Sequence, residues 1–176
     1  MCSIILKQIL FDIYVIWILC TCVAAVVGDG FLARDITFQN TAGPSKHQAV
    51  ALRVGLDLSA FYRCDMLAYQ DTLYVHALRQ FYINCYIAGT VDFIFGNVAA
   101  VFQNCNIHAR RPNPGQRNMS DISDVVHPAG WFEWDGDFAL DTLFYRKLEA
   151  QPFTVGSFIA GSSWLGSTGF PFSLGL

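Results

Sequence analysis

Phe61-Tyr62-Arg63-Cys64, Tyr82-Ile83-Asn84-Cys85 and Phe102-Gln103-Asn104-Cys105 are variants of one four-residue phrase, and Phe38-Gln39-Asn40-Thr41 reads as a fourth. With the last residue of each as an anchor, the spacings are 23, 21 and 20 residues. An aromatic stands three positions before every anchor, and Asn40, Arg63, Asn84 and Asn104 stand one before. Like side chains recurring at one coil length predict a parallel β-helix, an all-β solenoid whose coils stack at the ~4.8 Å strand spacing. The aromatics then stack in a column, and the asparagines hydrogen-bond along the axis as a ladder. Leucine-rich repeats have a similar period, but their leucine-asparagine signature is missing. Helical repeats run longer, and breaks such as Ala88-Gly89-Thr90 interrupt any helix. The same frame stacks Cys64, Cys85 and Cys105, either as a disulfide framework or as small apolar packing residues.

Composition agrees with strands and excludes several roles. The chain has 176 residues, 53% hydrophobic and only 14% charged, which suits one domain with a real core and rules out disorder throughout. Eleven Lys+Arg against 14 Asp+Glu give a net charge of −3, so nothing neutralises phosphates and nucleic acid is not expected as a partner. Aspartate outnumbers glutamate 12 to 2 and lysine occurs three times, a surface unlike that of helices. The six cysteines form no C-x-x-C, and the four histidines show no H-x-H or H-E-x-x-H, so no metal is expected. Ile9 to Val27 is almost continuously apolar. Residues 1–25 read as a leader (a secretory signal, a membrane anchor or an artefactual start), with a buried strand near 23–27 as the plain alternative. Residues 26–176 read as the solenoid domain, and membrane contact is expected only if the leader is retained.

Seven residues past each anchor lie Gln48, Asp71, Asp92 and Pro112. A glutamine and two aspartates therefore share one column on successive coils, with Gln70 beside Asp71, and with Tyr74 and Phe95 three residues further on. Two neighbouring carboxylates cannot both ionise cheaply, so one becomes a proton donor and the other a nucleophile or base. Carboxamide N–H groups stabilise an oxyanion, and aromatic rings take the apolar faces of sugars. The plain alternatives are turn duty for the aspartates and core packing for the rings.

These residues also carry a family resemblance. Gly43-Pro44-Ser45-Lys46-His47-Gln48-Ala49-Val50-Ala51-Leu52 resembles the first glutamine motif of plant pectin methylesterases (pectinesterases). Tyr69-Gln70-Asp71-Thr72-Leu73 and Gly89-Thr90-Val91-Asp92-Phe93-Ile94-Phe95-Gly96 resemble their two aspartate motifs. His127-Pro128-Ala129-Gly130-Trp131 and residues 153–172 are similar to later segments. The resemblance implies a right-handed parallel β-helix (pectin-lyase-like), secretion to the plant cell wall, and no metal or organic cofactor. It implies methyl-esterified pectin as substrate and a proteinaceous pectinesterase inhibitor as partner. It makes Asp92 the nucleophile on the galacturonate methyl ester, and Asp71 the donor to departing methanol and then the base for water. Gln48 and Gln70 would bind the oxyanion, and Tyr74, Phe95 and Trp131 would line the pectin groove.

Departures from the family pattern shape the expectation. The family's Leu-Gly-Arg-Pro-Trp motif, whose arginine partners the nucleophilic aspartate, does not occur in this sequence, nor does its early Gly-x-Tyr-x-Glu segment. The text breaks near 118–120 and again near 145–149, as if coils had been left out of an incomplete solenoid. Arg110 and Arg111 stand in the wrong register to replace the missing cation. The reading is a truncated member with impaired ester hydrolysis. A non-catalytic pectin-binding remnant and a glycoside hydrolase built on the same carboxylates are the alternatives. Asn118-Met119-Ser120 is a glycosylation sequon, Ser162 and Ser163 lie in no G-x-S-x-G, and residues 151–176 read as a cover over the helix.

Overall fold

The computed structural model describes residues 2–5, 9–10, 23–26, 28–114 and 154–175. Trp131, the sequon, the two breaks and most of the apolar leader lie outside them. Two short strands come first, β1 (Cys2–Ile5) and β2 (Ile9–Leu10). Twelve strands follow in four coils of three: β3 (Ala24–Val26), β4 (Leu32–Arg34) and β5 (Thr37–Asn40); β6 (Leu52–Val54), β7 (Ser59–Tyr62) and β8 (Asp65–Leu67); β9 (Leu73–Val75), β10 (Arg79–Ile83) and β11 (Tyr86–Gly89); β12 (Ile94–Phe95), β13 (Ala99–Gln103) and β14 (Asn106–Ala109). Each strand pairs in parallel with its counterpart one coil away, giving sheets β3-β6-β9-β12, β4-β7-β10-β13 and β5-β8-β11-β14. β1 and β2 add antiparallel to β5 and β4. The architecture is the expected right-handed parallel β-helix.

Alternation within each strand builds the interior. In β7, Phe61 points inward while Ala60 and Tyr62 point out. Phe61 stacks on Tyr82 at 4.8 Å between ring centroids, and Tyr82 on Phe102 at 4.7 Å, so the aromatic column forms over three coils. Phe38 does not belong to it. The ladder sets Ala33 opposite Phe61 and Phe38 opposite Met66, which moves Phe38 to the next sheet, edge-on to Phe61. The true first member of the repeat is Ala33-Arg34-Asp35-Ile36. The sequence frame missed it because the loop from Asn40 to Leu52 is longer than its successors, so the pitch there is 28 residues.

The residues preceding the anchors have a different duty from the expected ladder. Asp35, Arg63, Asn84 and Asn104 all hold φ between 51° and 55°, the left-handed corner that turns the chain from one sheet into the next. Asn and Asp tolerate that conformation better than most residues. The backbone N–H groups of Asp35, Arg63 and Asn84 each donate to a carbonyl on the following coil, Tyr62, Ile83 and Gln103 in turn. Cys64, Cys85 and Cys105 follow these corners as free thiols stacked one above another. The buried Gln80 satisfies its amide on the Val54 and Ala77 carbonyls and accepts from the Tyr82 hydroxyl at 2.7 Å.

The C-terminal segment covers a flank of the solenoid. A single helical turn, α1 (Val155–Phe158), starts at Thr154 with a reciprocal capping box to Ser157. Val155, Ile159, Trp164, Leu165 and Phe170 bury themselves against Ala60, Phe81, Ile83 and Val101, the outward face of β7, β10 and β13. The Trp164 indole N–H donates to the Ile159 carbonyl at 3.0 Å, which satisfies its one polar group inside that layer.

Candidate active site

The turns that lead from the third sheet back to the first carry the acids. Asp71 and Asp92 precede β9 and β12 by two residues each, and Leu73 pairs with Ile94, so the two aspartates occupy equivalent positions on adjacent coils. Both sit in the left-handed region, with φ of 62° and 49°. Backbone bonds lock one turn onto the other: Asp71 N–H to Val91 O at 3.0 Å, Thr90 N–H to Tyr69 O at 2.8 Å and Leu73 N–H to Phe93 O at 2.9 Å. The buried Thr72 hydroxyl ties the Tyr69 and Ala88 carbonyls together. Gly89 lets the turns approach, because a Cβ there would lie 2.3 Å from both Phe93 Cβ and Thr72 Oγ1. Gly96, with φ of 132°, admits the Val75 carbonyl to the space a Cβ would fill.

Burial and mutual charge set the electrostatics. Burial, and then the Asp92 charge, push the Asp71 carboxyl up to about 6. Burial alone pushes Asp92 up. Among the described residues no cation contributes to either shift. The pair thus favours holding a proton, with Asp71 as its keeper.

The glutamines differ from expectation in register. Gln48 bridges Gln70, not Asp71, and the Ala49 N–H donates to the Gln70 carbonyl at 3.2 Å. Gln48 is exposed and Gln70 half-buried, and their backbones pair on adjacent coils, so the expected column is offset by one residue. Tyr74 and Phe95 stack face to face at 4.6 Å on the outer side of the first sheet. The Tyr74 hydroxyl meets His76 Nδ1 at 2.7 Å. Trp131 lies outside the described residues. Among the described residues no cluster of His, Cys, Asp or Glu is arranged to hold a metal.

Two arginines stand near this site: Arg110, which the sequence sets out of register as a replacement cation, and Arg53, which the sequence reading does not single out. Arg110 donates from its backbone to the Gly89 carbonyl at 2.6 Å and from Nη1 to the Ala68 carbonyl at 2.8 Å, with its guanidinium over the Tyr69 ring. It braces the starts of both aspartate turns and forms no ion pair with either carboxyl. Arg53 lies over the free face of Tyr74 at 5.5 Å. Its signal was present in the spacing, since 53, 74 and 95 are 21 residues apart.

Comparison with known proteins gives a consistent result. The Pectinesterase family model matches residues 16–121 and 118–157. Pectinesterase 1 of Citrus sinensis is 55% identical over 231 aligned positions, covering 87% of this chain and 40% of the relative. Pectinesterase of Daucus carota is 50% identical, covering 86% of this chain and 72% of the relative. The solved pectin methylesterase from carrot superposes with a TM-score of 0.77 at 49% identity, over 89% of this chain and 73% of that one. The chain spans about two fifths of the length of several of the curated relatives it matches. With two matching segments that together take in most of the sequence, and with half of its aligned residues shared with plant enzymes, the chain belongs to the pectinesterase family.

Proposed function

We propose that the chain hydrolyses methyl esters of pectic galacturonan, releasing methanol. Asp92 as carboxylate attacks the ester carbonyl carbon, and the carboxamides of Gln48 and Gln70 donate to the oxyanion that forms. Collapse of the tetrahedral intermediate breaks the bond to the methoxy oxygen, which leaves as methanol with the proton of Asp71, and an acyl-aspartate remains. Asp71 then takes a proton from water as that water attacks the acyl carbon, which frees the galacturonate carboxyl and restores Asp92. The stacked Tyr74 and Phe95 rings, with Trp131, carry the sugar faces beside the acids. The single observation that supports this division of labour is the unequal pair: equivalent positions on adjacent coils, with Asp71 holding its proton to about 6.

A specific observation supports a second reading, a pectin-binding chain with little turnover. Among the described residues no cation offsets the burial that raises Asp92, which disfavours the ionised nucleophile. The family match in two pieces meeting at 118–121 is in keeping with coils left out between them. Action in the plant cell wall, and control by a proteinaceous pectinesterase inhibitor, belong to the same proposal. Methanol release from highly esterified pectin tests it, with reducing ends measured alongside. Asp92→Asn is expected to abolish the methanol signal, a loss of at least about a hundredfold. Pectin retention by a wild-type chain that releases no methanol selects the second reading.

A further inference from the structure

The outward face of the first sheet carries one column over three coils: Arg53 on β6, Tyr74 on β9 and Phe95 on β12. Tyr74 is sandwiched, with the Phe95 ring on one face at 4.6 Å and the Arg53 guanidinium over the other at 5.5 Å. His76 fixes the Tyr74 hydroxyl, so the platform is held from its edge as well. Arg53 is half-buried and takes part in neither of the ion pairs found among the described residues, Arg63–Asp35 and Arg79–Asp57. A guanidinium stacked on an aromatic keeps its N–H fork directed to one side and ready for a planar anion. The column runs beside the acids: Tyr74 and Phe95 follow Asp71 and Asp92 by three residues, and Arg53 follows Gln48 by five.

We propose that Arg53 is a specificity-determining residue that binds a free galacturonate carboxylate next to the ester being hydrolysed. It would sit one rung from Tyr74, on the side away from Phe95 and Asp92. This rests on the galacturonan reading above and deepens it. A methyl ester at the Arg53 position offers no charge and loses the bidentate contact.

Binding of two probes, a fully de-esterified oligogalacturonate and its fully methyl-esterified counterpart, tests the inference by calorimetry without any need for turnover. Arg53→Gln is expected to weaken the acidic oligomer about tenfold while changing the esterified one less than twofold. Wild-type affinity for the acidic oligomer is expected to fall as salt rises, and Arg53→Lys to recover part of the loss. Equal losses for both oligomers, or none, overturn the assignment and leave Arg53 as a packing group. If Arg53→Gln fails to fold, the salt series on the wild type decides, and a flat acidic affinity overturns it. A wild type that binds neither oligomer overturns the galacturonan reading as well. Arg53-dependent acidic binding together with Asp92-independent methanol release overturns the ester mechanism alone.

Discussion

At the scale of single residues, position matters more than identity. Asp71 and Asp92 are ordinary turn residues by conformation, both in the left-handed region that aspartate enters readily. They become chemically unusual because the coil ladder puts a buried and a half-buried carboxyl on neighbouring rungs. Asp71 titrates near 6 in the fold against 3.8 for its free side chain, so the native state holds more protons between those values. Its contribution is therefore most favourable below about pH 4 and is lost as pH rises through 6. Asp71→Asn mimics the protonated form. Discounted for contact with solvent, it is expected to be about 1 kcal/mol more stable than wild type at pH 7, with the gap closing near pH 4. Denaturant melts at the two pH values check this, and a variant less stable at pH 7 than at pH 4, relative to wild type, counts against it. The motif text made both aspartates legible. The offset of Gln48 was not, because the backbone between Gln48 and Leu52 holds one residue more than that between Gln70 and Leu73.

At the scale of elements, corners and loops decide which repeats are real. The copies ending at Cys64, Cys85 and Cys105 were readable because the loops between them vary by only a residue. The first copy was misread because the connection from Asn40 to Leu52, which includes a 3-10 turn at Pro44–Lys46, lengthens its coil. A frame of near-constant pitch cannot see such an insertion. The expected asparagine ladder gives way for a related reason: Asn84 and Asn104 meet a local backbone need for positive φ, and the axial bonds of this column run through backbone N–H groups and the Arg63–Asp35 pair. The C-terminal segment was recognised as a cover, but the face it covers depends on tertiary packing. Trp164, Leu165 and Phe170 seal the outer side of β7, β10 and β13. Trp164→Ala should cost about 3 kcal/mol through lost burial and a cavity. Calorimetric and denaturant midpoints report that loss, and a change below about 0.5 kcal/mol would mean that the segment does not hold the flank.

At the scale of the whole molecule, each coil rests mainly on its two neighbours. Stability in such a stack is shared along the axis and is highest where a coil is covered on both sides. The coils of β6–β8 and β9–β11 contain Phe61, Met66, Leu73, Tyr82 and Ile87, all fully buried, whereas Phe102, Cys105 and Ile107 in the coil of β12–β14 are only partly buried. Amide exchange is therefore expected to be slowest in β7, β8, β10 and β11, and faster by about tenfold or more in β13 and β14. Uniform protection across all four coils would contradict that gradient. The Asp71 turn joins the two well-covered coils, and the Asp92 turn leads from the second of them into the coil of β12–β14, so the pair is held by the backbone bonds between the two turns. Asp71 and Asp92 share one electrostatic site, because the Asp92 charge adds to burial in raising Asp71. Carboxyl-carbon NMR titration tests it most directly, in the wild type and in Asp92→Asn. Asp71 is expected to titrate near 6 in the wild type and to move down in Asp92→Asn, while burial still holds it above 3.8. An Asp71 that titrates at its ordinary value, or that ignores the loss of Asp92, would contradict it.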